Sequence, residues 1–350
     1  MSTLYATHAD LRGRIGMVVP VWYPPETDTA QAVALLLTTL ADSPACVLPE
    51  DVVVVVDGCP AAAVAARALR ERLAVEWGAP FQLIDAPENR GKGAALVAGI
   101  RHLLERDPDR LTLSWIATRD ADGDHVIDDL PHLFRVGQQV ADEHPGRPVC
   151  VIGRRANLHA PLGWVRGEYE LLLNEVLVEA LAFRLAREGT VWDTRYLAQR
   201  APDLQSGYKL YSREAAEMAA AALEGESAAH PELNLLRTGM EIVPFINVAL
   251  AGGVFAEVER KTYYDQPVTS YGNADFPRFY GLKLAWALRR CEVPLAAATL
   301  LLDGALVRRP LYNDPQGRES LLRMRSLVLE TLGEGTLPEA PPTPRMRTFI

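Results

Sequence analysis

The chain has 350 residues, 49% hydrophobic and 23% charged, an ordinary globular balance that suits one large α/β domain with additions. Its 36 basic and 45 acidic residues leave a net charge of −9, which argues against a general nucleic-acid binder but leaves room for a local basic pocket around a diphosphate. The opening residues lack the apolar core of a signal peptide and no run reaches the roughly 18 apolar residues of a membrane span, so a cytoplasmic protein is expected, with peripheral membrane contact left open.

Residues 15–21 form an apolar strand that ends in Trp22-Tyr23-Pro24-Pro25, and residues 30–41 read as a helix. Val52 to Val56 are five consecutive β-branched residues. Such a run predicts a strand buried on both faces, hence a parallel sheet covered by helices. It stops at Asp57-Gly58, and an alanine-rich helix follows to about Trp77. The alternation continues with a strand over 81–84, a helix over 93–105 and a strand over 111–117 that runs into Arg119-Asp120-Ala121-Asp122-Gly123. A helix over 129–141 and a strand over 148–153 come next. This pattern predicts a doubly wound sheet, with ligands at the carboxyl ends of its strands, where Asp57 and Asp120 both fall.

The second half changes character. A long helix is expected over 168–188, a strand or hairpin over 203–212 and a helix over 213–224. Residues 232–249 read as largely helical, and a strand follows over 254–258. Helices over 276–290 and 317–332 precede a proline-rich tail, which is expected to be extended or mobile. The four cysteines have neither CxxC nor zinc spacing and read as reduced thiols.

Asp120 and Asp122 are the sharpest chemical signal. Two carboxylates two residues apart, just past a buried strand, either hold Mg²⁺ or Mn²⁺ on a diphosphate or form a solvated turn. Asp124 and His125 either assist or cap the next helix. Asp57 either accepts a hydrogen bond from a nucleobase or forms the turn before Gly58. Glu88-Asn89-Arg90-Gly91-Lys92-Gly93 offers backbone N–H groups and a cation to phosphate at a helix start. It is not a Walker loop, since Ala86 and Gly93 break that pattern, and no GxGxxG follows the first strand.

Taken together, VPVWYPPE, VVVVVDGCP, ENRGKGAALVAGI and RDADGD resemble the nucleotide-binding half of family-two glycosyltransferases and their GT-A relatives. The segments CVIGRRANLHAPLGWVRGEYELLLNEV and DLQSGYKLYSREAAE are similar to polyprenyl-phosphate sugar transferases such as dolichyl-phosphate mannose synthase. The second of them, followed by Gly239-Met240-Glu241, is also similar to soluble transferases of the mannosylglycerate synthase type. The resemblance covers about residues 15–260.

It implies a GT-A fold with residues 1–150 as the nucleotide-sugar half, 151–275 as the acceptor half and 276–350 as an acceptor-side helical extension and tail. It implies that Pro20 and Val21 line the base pocket, Asp57 reads the base, and Arg90 and Lys92 lie near the nucleotide. Asp120 would meet ribose or metal, and Asp122 the metal. Arg155 (with Arg154 as competitor), Arg166, Ser206 and Gly207 would bind the acceptor through planar, bidentate phosphate contacts or their loop. Departures are Tyr208 and Lys209 in place of Phe and Arg, and Lys261 to Asp265 in place of a Ser-Lys step, with Asp265 as a possible third metal ligand.

The expected function is metal-dependent hexosyl transfer from a nucleotide diphosphate sugar to a small-molecule or lipid-phosphate acceptor, with inverting or retaining outcome open. For a hydroxyl acceptor, Glu241 is the first candidate base and Asp203 the second. Trp164, Trp192, Tyr196 and Tyr208 either stack on a sugar or lipid or pack the interior. A sugar-phosphate nucleotidyltransferase would need a glycine-rich loop where Val19 to Tyr23 stands. A non-catalytic sugar-nucleotide binder would not need Asp120 and Asp122. Homo-oligomerisation is open.

Overall fold

The computed structural model describes residues 7–109, 112–156, 158–159, 163–199, 201–260, 275–333 and 339–341. Its chain divides into two compact units, one of Met1–Asn157 with Asp193–Gly272, the other of Leu158–Trp192 with Asn273–Ile350.

The first unit is a sheet of seven strands: β1 (Ile15–Val21), β2 (Val52–Asp57), β3 (Gln82–Ala86), β4 (Trp115–Thr118), β5 (Val149–Arg155), β6 (Lys209–Ser212) and β7 (Val254–Arg260). Their order is β3-β2-β1-β4-β6-β5-β7. All neighbours run parallel except β6, which is antiparallel to both β4 and β5. The valine run of β2 is buried throughout, as a strand covered on both faces must be.

The helices of this unit are α1 (His8–Leu11), α2 (Thr29–Leu40), α3 (Pro60–Trp77), α4 (Lys92–Arg106) and α5 (Leu130–Glu143). One face of β1 (Ile15, Met17, Val19, Val21) packs with apolar residues of α2, α3 and α5. On the other, α4 lies against β1 and β2. The fold is therefore α/β, a doubly wound and mostly parallel sheet.

The β1–β4 ladder ends at Val18 and Thr118, whereas β1 and β2 stay paired to Val21 and Val56. Pro20 stands in the stretch of β1 beyond the end of β4, where the strand has a neighbour on one side only and its missing N–H costs least.

Three segments differ in extent from expectation. The strand predicted over 111–117 is only Trp115–Thr118, because the Asp107 carboxylate accepts from the amides of Thr112 and Leu113 and takes them out of the ladder. The 203–212 segment is a turn followed by the four-residue β6, with Ser206 N donating to Asp203 O. Residues 232–249 break at Gly239 to Glu241.

The second unit carries α6 (Trp164–Arg187), between β5 and β6 in the chain. The first then resumes with α7 (Arg213–Ala229), α8 (Leu235–Thr238) and α9 (Ile242–Leu250). The second closes with α10 (Phe276–Arg290), α11 (Leu295–Val307) and α12 (Pro315–Leu332). α11 was not expected, since LAAATLLLDGALV shows no clear polar face. In this unit Tyr169 stacks on Tyr280 with ring centroids 5.4 Å apart, and Arg325 forks onto Asp303.

All four cysteines are free and buried. Among the described residues no helix is long and apolar enough to cross a membrane. The tail beyond residue 333, apart from 339–341, lies outside the described residues, as do Lys261 to Asp265.

Candidate functional site: an acidic loop at the end of β4

The loop that follows β4 is fixed from all sides by buried groups. Arg119, 1% exposed, donates through Nε and Nη2 to the carbonyl of His125 at 2.9 and 2.5 Å. Its Nη1 and Nη2 reach the two oxygens of Asp42 at 2.8 and 3.2 Å. The Tyr23 hydroxyl donates to Ala121 O at 2.9 Å. Arg260 donates to the carboxylate and carbonyl of Asp124, and Tyr208 OH donates to Val126 O. The Asp120 amide donates to His125 Nδ1, and that ring stacks on Tyr208 with centroids 4.8 Å apart. Burial, then Arg260, holds His125 well below its ordinary pKa, so the ring is neutral and free to accept. Such bracing is what places two short side chains accurately on an irregular loop.

Asp120 and Asp122 are thereby set beside each other. Burial opposes charge on Asp120, but the ammonium group of Lys92 chiefly outweighs it and holds this carboxyl below the usual range. Lys92 Nζ lies 2.5 Å from Asp120 Oδ1. Asp122 is pushed up to about 6, first by burial and then by the charge of Asp120. Its Oδ1 accepts from the Asp124 amide at 3.1 Å. Gly207 lies against the Asp120 carboxylate: a Cβ there would sit 2.3 Å from Asp120 Oδ2. Only glycine lets the backbone come so close.

Lys209, the second cation, is 4% exposed and donates to Ser206 O. Burial lowers its pKa, and Glu241 acts in the opposite direction. Glu241, at the N-terminal cap of α9 and 8% exposed, thus lies near enough to Lys209 to act on its charge.

Asp57, at the end of β2, has both carboxylate oxygens engaged. Oδ1 accepts from Arg90 N at 2.8 Å and Oδ2 from Gly91 N at 2.7 Å. The 88–93 segment is also clasped by α8, with Arg237 Nη2 donating to Asn89 O at 2.7 Å. A Cβ on Gly91 would meet Arg237 Cα at 2.5 Å, so this glycine serves close packing as well as its φ of 104°.

On the far side of the site, Arg155 forks onto Asp203 with Nε and Nη2 at 2.8 and 2.6 Å, and its amide adds a third bond. Both side chains are buried. Burial raises and Arg155 lowers the Asp203 pKa, with a net depression, so Asp203 is an ionised anchor. Arg154 instead reaches the exposed Glu259. Ser206 Oγ donates to Gly153 O at 2.6 Å, inside the sheet. Arg166 belongs to the second unit, where its Nε donates to Glu170 at 3.0 Å. Of the four aromatics, Tyr208 and Tyr196 are tied by their hydroxyls to Val126 O and to Glu143. Trp164 is exposed at the start of α6.

The donor set fits a hard divalent cation, which takes oxygen ligands and, for Mg²⁺, keeps several waters and substrate phosphates. Among the described residues no three His, Cys, Asp or Glu side chains converge as a metal group. Asp124 is consumed by Arg260, which leaves two carboxylates from the protein. Asp265 lies outside the described residues.

Four contributors had not been singled out from sequence for these roles: Arg119, Tyr23, Lys209 and Arg260. A signal existed for two of them. Arg119 is a charge directly continuing an apolar strand, and Lys209 stands where the resembling transferases carry arginine.

No family model matches the chain, and no curated protein matches it. Among solved structures it is similar to the mannosyltransferase PcManGT from Pyrobaculum calidifontis in complex with GDP-Man and Mn²⁺. That match has 16% identity and a TM-score of 0.44, and covers 93% of this chain and 88% of that one. It is also similar to CMP:2-keto-3-deoxy-manno-octonic acid synthetase complexed with CTP, at 15% identity and a TM-score of 0.32, over 72% of this chain and 93% of that one. At such scores the fold assignment stands on the chain's own strand order.

Proposed function

We propose that this chain is a metal-dependent glycosyltransferase, moving a hexosyl group from a nucleotide diphosphate donor to a small-molecule or lipid-phosphate acceptor in the cytoplasm. The observation that carries the reading is the braced pair Asp120 and Asp122 at the carboxyl end of β4, with Lys92 on one of them. Asp120 and Asp122 would hold Mg²⁺ or Mn²⁺, which supplies charge neutralisation at the donor diphosphate. Lys92 adds a fixed cation at the same end. Pro20 and Val21, past the last β1–β4 pair, form the base side of the donor site, and Arg90 flanks the nucleotide.

Residues 1–150 then act as the donor half, 151–275 as the acceptor half and 276–350 as a helical extension. Arg155, Ser206 and Gly207 shape the acceptor side of the first unit; Arg166 lies in the second unit. For a hydroxyl acceptor, Glu241 is the group that takes the proton, since Asp203 is already committed to Arg155. A phosphate acceptor is ionised and needs no base.

The test is incubation with a panel of nucleotide sugars and Mn²⁺, measuring nucleoside diphosphate and inorganic pyrophosphate separately. Release of one nucleoside diphosphate, abolished by Asp122→Ala, supports the proposal. A parallel incubation with nucleoside triphosphates and sugar phosphates that releases pyrophosphate would instead establish a sugar-phosphate nucleotidyltransferase. Donor binding with neither product would establish a non-catalytic binder.

A further inference from the structure

We propose that Asp57 is a positioning residue: by gripping the amides of Arg90 and Gly91 it fixes Lys92 against Asp120, and so acts on the diphosphate end of a donor and not on its base. The proposal rests on the donor-site reading above.

Three observations carry it. The first is direction. The carboxylate of Asp57 is 4% exposed and each oxygen already accepts a short bond from a backbone N–H, at 2.8 and 2.7 Å. A base reader would instead present an acceptor to the base. The second is continuity. Gly91 is the N-cap of α4 and Lys92 its first residue, so the gripped amides are those of the two residues preceding the lysine whose Nζ lies 2.5 Å from Asp120 Oδ1. A carboxylate at this point also meets the positive end of the helix dipole.

The third is the fit between the two loops. Gly58, next to Asp57, has φ +60°, and a Cβ on it would fall 2.1 Å from Asn89 N; its own amide donates to Ala86 O at 3.1 Å. The 57–58 turn and the 86–91 segment thus touch backbone to backbone. α8 clamps that segment further through Arg237. A loop held this tightly leaves Lys92 little freedom except at its side chain.

Asp57→Asn keeps the shape but turns one accepting oxygen into an N–H donor facing another N–H. The experiment measures the affinity of the whole chain for inorganic pyrophosphate, UDP and GDP, each with Mn²⁺, by calorimetry. It also follows acetylation of Lys92 by mass spectrometry. The proposal expects Asp57→Asn to weaken all three ligands by the same factor, about tenfold for a lost charge-assisted bond. Lys92 labelling should rise severalfold. Added to Lys92→Met, Asp57→Asn should weaken binding no further, the non-additivity of residues acting in series.

Loss of UDP or GDP binding with pyrophosphate binding intact, or a changed preference between the bases, would overturn it. So would unchanged Lys92 labelling in the folded variant. Should wild type bind none of the three ligands, the donor-site reading fails, and the labelling result still decides the role of Asp57. If Asp57→Asn does not fold, hydrogen exchange in wild type decides. Protection of the Arg90 and Gly91 amides supports the grip, and exchange as fast as at Glu88 removes it.

Discussion

Gly207→Ala is the substitution that most directly probes how the acidic pair is held. An added methyl would lie 2.3 Å from Asp120 Oδ2 and 2.7 Å from both Cγ and Oδ1. Relief to ordinary contact needs a shift of about 1 Å. The backbone cannot supply it cheaply. Gly207 O accepts from Thr118 Oγ1 at 2.8 Å, Ser206 is bonded to Gly153, and Tyr208 is tied to Val126. Asp120 must therefore give way, and with it the 2.5 Å pair to Lys92. A 1 Å misplacement of a reacting constellation costs on the order of 10²-fold in rate. The overpacking itself costs about 1–3 kcal/mol of stability. The assay is Mn²⁺-dependent release of nucleoside diphosphate, with Mn²⁺ affinity read in parallel from the free-ion electron paramagnetic resonance signal. Gly225→Ala, on α7 with open space around its Cβ position, is the control and should be neutral or slightly stabilising. A Gly207→Ala protein that binds Mn²⁺ and turns over within twofold of wild type would refute the cradle.

Three further substitutions test the bracing and the interior. Arg119→Met removes a buried guanidinium that touches neither carboxylate; it should cost about 3 kcal/mol in urea unfolding and also weaken Mn²⁺ binding. Loss of stability with unchanged Mn²⁺ affinity would show that the brace does not set the loop. Asp203→Asn strands the buried Arg155 charge and should cost about 3–5 kcal/mol, whereas a loss of activity at full stability would restore Asp203 as a catalytic base. Asp51 is pushed up to about 6, by burial first and then by Glu50 and Asp107 against the pull of Arg106. Its folded pKa lies above the ordinary 3.8, so its contribution is fully present below pH 3.8 and is lost as pH rises through 6. Asp51→Asn should therefore stabilise by about 2–3 kcal/mol at pH 8 and by almost nothing near pH 4. A melting-temperature difference independent of pH would contradict this.

Those parts of the fold that depend on local pattern were open to reading from the sequence. The all-valine run gave away a strand buried on both faces. Pro60 and Gly78 mark the two ends of α3, one pre-set for a first helical turn and the other in the left-handed region at φ 81°. Asp120 and Asp122 stood out because acids rarely follow so apolar a strand. What could not be read depends on partners distant in sequence. β6 is four residues long, and its antiparallel place between β4 and β5 is set by pairing alone. Asp57 shows in sequence as a turn residue or ligand reader; its grip on Arg90 and Gly91 exists only because β2 and β3 lie side by side. The shortening of β4 depends likewise on the side chain of Asp107, which no periodicity reports.

The place of β6 also has a kinetic side. On a ribosome β1 to β5 emerge first, yet β4 gains its outer neighbour only when Ser212 reaches Trp115, roughly ninety-five residues later, after α6 has been made. Until then the sheet exists as β3-β2-β1-β4 with β4 as a bare apolar edge, and β5 is a strand without partners; such edges are where chains join one another instead of themselves. Synthesis paused or truncated between residues 156 and 208 should therefore yield an aggregation-prone species, and whatever shelters that interval in the cell decides how much of the protein is recovered.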